Sequence, residues 1–328
     1  MRKTAFARLM LGARTDPAIV ASIPCVRKPG LCGVARVNRG YVAGVERYLS
    51  AFQTLAPMRP YRTLSLSLIA VVTTATALHA HDLFFRLRAY FVAPGTAMRL
   101  PVLNGTFSKS ENSISWDRVR DLSVVGPAGR ASIDSAAWDT RGDTSFLAYT
   151  PTVAGTHVAG LSTRPRELDE KAADFNKYLA DDGVPDILAL RTRTGTLTSN
   201  ARERYQKHVK AIFQVGDART DGWRTALGYP AELVPTSNPY DVKVGGSLAF
   251  RCLVDGTPVP NQYVMIGGRR PDDTRLPARH ARCDKQGVVH VNIDAAGIWY
   301  VKFIHMTPVT DGAVTFESKW ASLTFGVR

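Results

Sequence analysis

The chain has 328 residues, 45% hydrophobic and 21% charged, which is room for two domains with sizeable cores and an ordinary globular balance. Its formal charge of +14 is concentrated at the start, where residues 1–80 carry 11 of the 42 Lys and Arg against Asp16 and Glu46, leaving 31 basic and 26 acidic side chains beyond. That residual +5 is scattered, with no Lys/Arg run and no interleaved aromatics, so a nucleic-acid partner is excluded as the organising function.

Residues 1–57 are rich in Arg, Gly and Pro and show no sustained period, so they read as a gene-start artefact ahead of Met58 or as a disordered leader. Residues 58–80 have the three parts of a secretory signal: a basic start (Arg59, Arg62), an uncharged run from Thr63 to Leu78, and small residues suited to a signal peptidase. The run is too short and too polar for a membrane span, so the expectation is export to the periplasm, with no span in the mature form. Cleavage after Ala77 satisfies the small-residue rule best, whereas cleavage after Ala80 frees His81.

From 81 to 163 short strand candidates alternate with Gly and Pro turns, which predicts a β-sandwich region. A helical insert is expected over 164–216. Its first helix carries Leu168, Ala172, Phe175 and Leu179 on one face; its second starts at Ser199 or Asn200, shows a Tyr205, Val209 and Ile212 stripe, and stops at Gly216. Strand patterns return over 217–328, where "VDGTPVPNQYVMI" and "CDKQGVVHVNIDAAGIWYVKF" match the turn spacing of transthyretin-like and Ig-like sandwiches. The fold class is therefore mainly β, two sandwich regions with a helical insert between them. Cys252 and Cys283 are either a disulfide or two buried thiols.

The last hairpin holds the most informative side chains. Strand alternation puts Trp299, Val301, Phe303 and His305 on one face, and pairing Leu323 with Trp299 would set His305 opposite Glu317. Such a pair is either an ion pair ending the core or a metal ligand with its carboxylate partner. The other histidines are weaker: His157 and His290 in strands, His208 on the polar side of the second helix, His280 in an Arg-rich loop. No HxxxH, CxxC or HExxH spacing occurs, nor a nucleophile elbow or phosphate loop, so neither a closed zinc site nor an enzyme is expected.

A histidine at a mature N-terminus supplies two nitrogens to one metal, its α-amino group and its imidazole. With a third nitrogen from His305 this is a copper-type histidine brace; with carboxylate or water it suits Ni(II) or Co(II). The alternative cut leaves His79 and His81 on a short tail.

The run His79-Ala80-His81-Asp82, "RERYQKHVKAIFQVG" (202–216), "LGYPAELVPTSNPYDVKVGGSL" (227–248) and "FIHM…ESKWASLTF" (303–325) resemble the DUF4198 proteins over nearly all of 78–328. That family comprises exported proteins often described as periplasmic components of nickel or cobalt uptake. The resemblance implies a mature start at His81 and puts His81, His305 and Glu317 forward as metal ligands; Lys319 and the long leader depart from the pattern. The resulting expectation is a periplasmic, non-enzymatic protein that binds nickel or cobalt and feeds a membrane importer. A copper-binding brace and an Ig-like interaction module are the alternatives.

Overall fold

The computed structural model describes residues 81–310 and 312–328, so the leader and the signal segment lie outside the described residues. A ten-stranded sheet forms the middle layer. Its order is Arg275–Arg282, Tyr263–Arg269, Gly297–Pro308, Phe316–Val327, Ala201–Val215, Gly155–Thr163, Val119–Gly126 and Gly129–Ser132, while Phe91–Val92 and Arg166–Glu170 also pair with Ala201–Val215.

A smaller sheet packs on each side. Asp82–Phe85, Met98–Gly105, Thr144–Tyr149 and Trp138–Arg141 cover one face, where Leu83, Phe85 and Leu100 share a core with Val209, Ala211 and Phe213. Ala231–Pro235, Ser247–Val254, Thr257–Pro258 and Val288–Asn292 cover the other, packing Leu233, Phe250 and Val289 against Ile212, Val301, Phe303 and Leu323. The mainly β, sandwich-type architecture is thus realised as stacked sheets, and the regions before and after the helices contribute strands to the same middle layer.

Strand alternation explains the layering. On Ala201–Val215 the odd-numbered residues face the first small sheet and the even-numbered ones the second, because successive side chains of a strand point to opposite faces. These faces are called here the His81 face and the His305 face.

The second expected helix is a correction. Residues 201–215 form a strand of 15 residues, paired in parallel with Phe316–Val327 and antiparallel with Gly155–Thr163. A strand covered on both faces loses its polar/apolar alternation, and buried Glu203, Lys207 and Lys210 broke the apolar run further, so three- and four-residue spacing emerged by chance. The helices are α1 (Ala172–Asp181) and α2 (Pro185–Arg193). Phe175, Tyr178 and Leu179 of α1 pack on Ile304, Phe316 and Trp320 of the His81 face, while Leu168 belongs to the preceding strand. Asn200 does not start a helix of its own; its Oδ1 accepts from the Ala172 N–H of α1 at 3.1 Å. Pro185 at the first turn of α2 and Gly195 just past its end are the signals that mark this helix, whose apolar stripe is weak.

Candidate functional site beside His81

Asp82–Phe85 is held across the middle sheet by side chains. The hydroxyls of Ser322 and Thr324 donate to the carbonyls of Leu83 and Phe85, both at 2.7 Å. At the start of this strand three contacts fix the chain: Lys207 donates to the His81 carbonyl, Lys302 donates to the Asp82 carboxylate, and the His81 imidazole Nε2 meets Glu111. Glu111 reaches it because the loop after Met98–Gly105 turns back sharply, its N–H donating to Asn104 O at 2.9 Å. Gly105 permits that turn: a Cβ there would lie 2.5 Å from the Lys109 carbonyl.

Helix α1 delivers the remaining groups. Its C-terminus is closed by Gly183 at φ +83° and by Val184 N–H donating to Leu179 O at 2.9 Å, a Schellman-type end that leaves Asp182 beside the sheet. A carboxylate at a helix C-terminus opposes the helix dipole, so a cation is needed, and Lys302 Nζ meets Asp182 Oδ1 at 3.2 Å. Burial raises the Asp182 carboxyl above its ordinary range, partly opposed by Lys302. Burial alone would lower the Lys302 ammonium, yet Asp82 and Asp182 together raise it, so the group is locked as a cation.

Lys207 is different. Burial lowers its ammonium to about 8, with Asp82 only partly offsetting the loss of water. It also lies over the rings of Trp320 (5.1 Å) and Tyr205 (5.4 Å). Deeper still, Glu203 takes hydrogen bonds from Tyr178 and Ser318, and burial raises its carboxyl. Burial, then the neighbouring Glu203, raises Glu170 to about 7. One oxygen of each of these two carboxyls has no partner among the described residues, an expensive arrangement for an ionised group and a cheaper one for a protonated acid.

The cluster opens into a cleft of about 410 Å³ bordered by His81, Asp82, Phe107, Asp182, Tyr300 and Lys302. A larger cleft of about 850 Å³ meets it at Ser108 but is lined by Arg86, Arg88, Lys109, Arg270 and Arg328 against two aspartates, which disfavours a cation there.

The expected ligand set is not assembled. His305 lies on the opposite face of the same strand from Lys302, three residues away, so its ring turns to the far side of the middle sheet from His81. Pairing in the last hairpin runs Trp299 with Phe325 and Val301 with Leu323, two residues from the expected register, because all twelve residues of each strand are paired out to Gly297 and Val327. His305 therefore faces Lys319, and Glu317 faces Thr307. His305 Nδ1 is 2.9 Å from Gln262 Oε1, and burial, then Lys319, lowers its ring below the ordinary value. Glu317 is a surface partner of Arg204 at 2.8 Å, 43% exposed. His81 borders the cleft lined by Asp82 and Asp182, whereas His305 borders a separate, smaller one of about 160 Å³ whose carboxylate, Asp186, is paired with Arg282 at 2.8 Å. Among the described residues no three His, Cys, Asp or Glu side chains converge on one metal position.

The other histidines divide likewise. His157 is a satisfied sheet residue, 3.1 Å from Gly155 O and stacked on Phe213. His208, expected to be solvated, is buried on the His305 face at 2.9 Å from Ser162 Oγ, and burial lowers its ring to about 3. His280 lies in a strand, stacked on Tyr263. The buried Lys207, Lys302 and Glu203 and the half-buried Asp182 escaped the sequence reading; the only trace was charge inside otherwise apolar segments.

Comparison with known proteins supplies no curated relative: no curated protein matches the chain. One solved structure, described as the crystal structure of the tetra-tandem repeat in the extending region of a large adhesion protein, is 11% identical with a TM-score of 0.19. The match covers 74% of this chain and 49% of that one, so the chain spans about half of it; at that score the likeness carries no argument. A family model does match, Domain of unknown function (DUF4198), over residues 78–307. No helix among the described residues is long and apolar enough to cross a membrane. With that match over most of its length, the chain belongs to the DUF4198 family.

Proposed function

We propose that this is an exported protein that binds a divalent transition metal, nickel or cobalt before copper, at a mature N-terminal His81, and passes it to a membrane uptake system in the periplasm. The observation that carries the reading is the anchoring of His81. Its carbonyl, its ring and the next side chain are each held, by Lys207, Glu111 and Lys302 respectively, so the histidine is fixed at the mouth of a cleft and is not a loose tail.

The donor set fits a metal only in a revised form. His81 would give imidazole and, once freed by cleavage, its α-amino nitrogen; Glu111 would give a carboxylate, as ligand or as the group orienting the ring. The Asp82 and Asp182 carboxylates are already committed to Lys302, so they are not counted as ligands. His305 and Glu317 take no part in the revised set. The amine and imidazole must lose protons to bind, so affinity should rise with pH through the range where an α-amino group titrates, about 7 to 8.

Calorimetry with Ni(II), Co(II) and Cu(II) on protein beginning at His81, against protein carrying one extra N-terminal residue, tests the reading. A marked loss of affinity in the extended protein is the expected result. Equal affinities would exclude the N-terminal chelate, and no binding by either would favour the interaction-module alternative.

A further inference from the structure

Away from His81, on the other face of the middle sheet, Cys252 and Cys283 meet in the core. Cys252 lies in Ser247–Val254 of the outer sheet, and Cys283 lies just past Arg275–Arg282 at the edge of the middle sheet. Both are buried, with their sulfurs 3.2 Å apart and their positions 31 apart in sequence. Their backbones are fixed independently of the sulfurs. Cys252 N–H donates to Gly287 O at 2.9 Å, Cys283 N–H to Gln262 O at 3.0 Å, and Asn261 N–H to Cys283 O at 3.1 Å.

We propose that Cys252 and Cys283 close into a disulfide that ties the outer sheet to the edge of the middle sheet. A bonded pair needs about 2.05 Å between sulfurs, so closure asks for a displacement of only about 1 Å, within reach of small side-chain rotations. A shared metal is the other common reason for two thiols to meet, but it needs further ligands, and among the described residues no third His, Cys, Asp or Glu joins them.

The step balances with a disulfide-bearing oxidant such as glutathione disulfide. The Cys283 thiolate attacks one glutathione sulfur and expels the other glutathione as thiolate; Cys252 then attacks the Cys283 sulfur and expels the second. The protein loses two electrons and two protons, and two glutathione thiols carry them away. Cys283 is the natural first attacker. It keeps slight exposure, and hydrogen bonding with Cys252 lowers its thiol, whereas burial pushes the Cys252 thiol well up.

The test is to refold the full chain with glutathione disulfide, block free thiols, digest without reduction and map the peptides. This does not depend on the metal reading. A peptide linking Cys252 to Cys283 is expected, along with a melting temperature that drops by roughly 5–10 °C on reduction. A Cys252→Ala/Cys283→Ala protein should melt at a temperature indifferent to reductant. Individually blocked or glutathione-bearing Cys252 and Cys283, or links from either to Cys25 or Cys32, would overturn the proposal.

Discussion

Each face of the middle sheet buries a lysine with carboxylate partners, and the two clusters are built differently. On the His305 face, Lys210 meets Glu232 at 3.1 Å with both side chains 2% exposed. Glu232 is saturated by N–H groups of Leu227 (2.8 Å) and Tyr229 (2.7 Å), and Lys210 also donates to Thr225 O. On the His81 face, Lys302 faces two aspartates that border an open cleft, burial lowers the Lys207 ammonium to about 8, and two carboxyls keep an oxygen without a partner among the described residues. The first cluster closes a core around paired charges. The second sets Asp82, Asp182 and Lys302 beside space a ligand can enter, with the perturbed Lys207, Glu203 and Glu170 behind them, and such perturbed groups cluster at functional sites.

The sharpest way to break this contrast is to remove one charge on each face. Glu232→Gln should destabilise the fold by about 3–5 kcal/mol in urea titrations, because it leaves Lys210 buried and unpaired, and Lys302→Met by less, because Asp82 and Asp182 keep access to the cleft. Only Lys302→Met should also weaken metal binding, since Asp82 would lose the partner that anchors the residue next to His81. Equal loss of metal binding in both variants would show that general destabilisation, not the His81 face, is being read.

Glu111→Gln comes next. It should lower nickel affinity roughly 10–100-fold in competition with a chromogenic chelator, the usual range for a group that orients or supports a ligand. His305→Ala should leave that affinity unchanged. A reversal of the two outcomes would move the site to the other face.

Smaller effects follow with pH. Lys207 in the folded protein lies at about 8 against an ordinary 10.5, so the unfolded chain binds more protons between them. Its contribution to stability is full above 10.5 and lost as pH falls through 8, and Lys207→Met should flatten that rise. Glu170 has the opposite sign, at about 7 against 4.5: its contribution is full below 4.5 and lost as pH rises through 7. Denaturation midpoints from pH 4 to 10 for the parent and for Lys207→Met and Glu170→Gln check both signs. The smallest expected effect is Glu317→Gln, a surface substitution that should leave metal affinity and midpoint unchanged.

The sandwich class was legible in the sequence because turn residues punctuate short strands, and α1 because Phe175 and Leu179 keep a helical step. The 201–215 strand was not, since burial on both faces removes the alternation that marks a strand. The same residues explain the partial reading of the site. His81 stood out through its place after a signal-like run, but Glu111 is fixed by a loop that only the backbone around Gly105 explains. His305 was placed on the right face of its strand and in the wrong register, a two-residue slip that keeps the face while exchanging Glu317 for Lys319 as neighbour. That Glu170, Glu203, Lys207 and Lys302 converge is a property of sheet order, which strand patterns alone do not specify.

Anomalous diffraction at the nickel edge, from crystals of protein beginning at His81 grown with Ni(II), tests the central claim most directly. The account predicts one strong peak within bonding distance of the His81 amine and imidazole nitrogens, on the side of Glu111. A peak at His305, or none at His81, would contradict it.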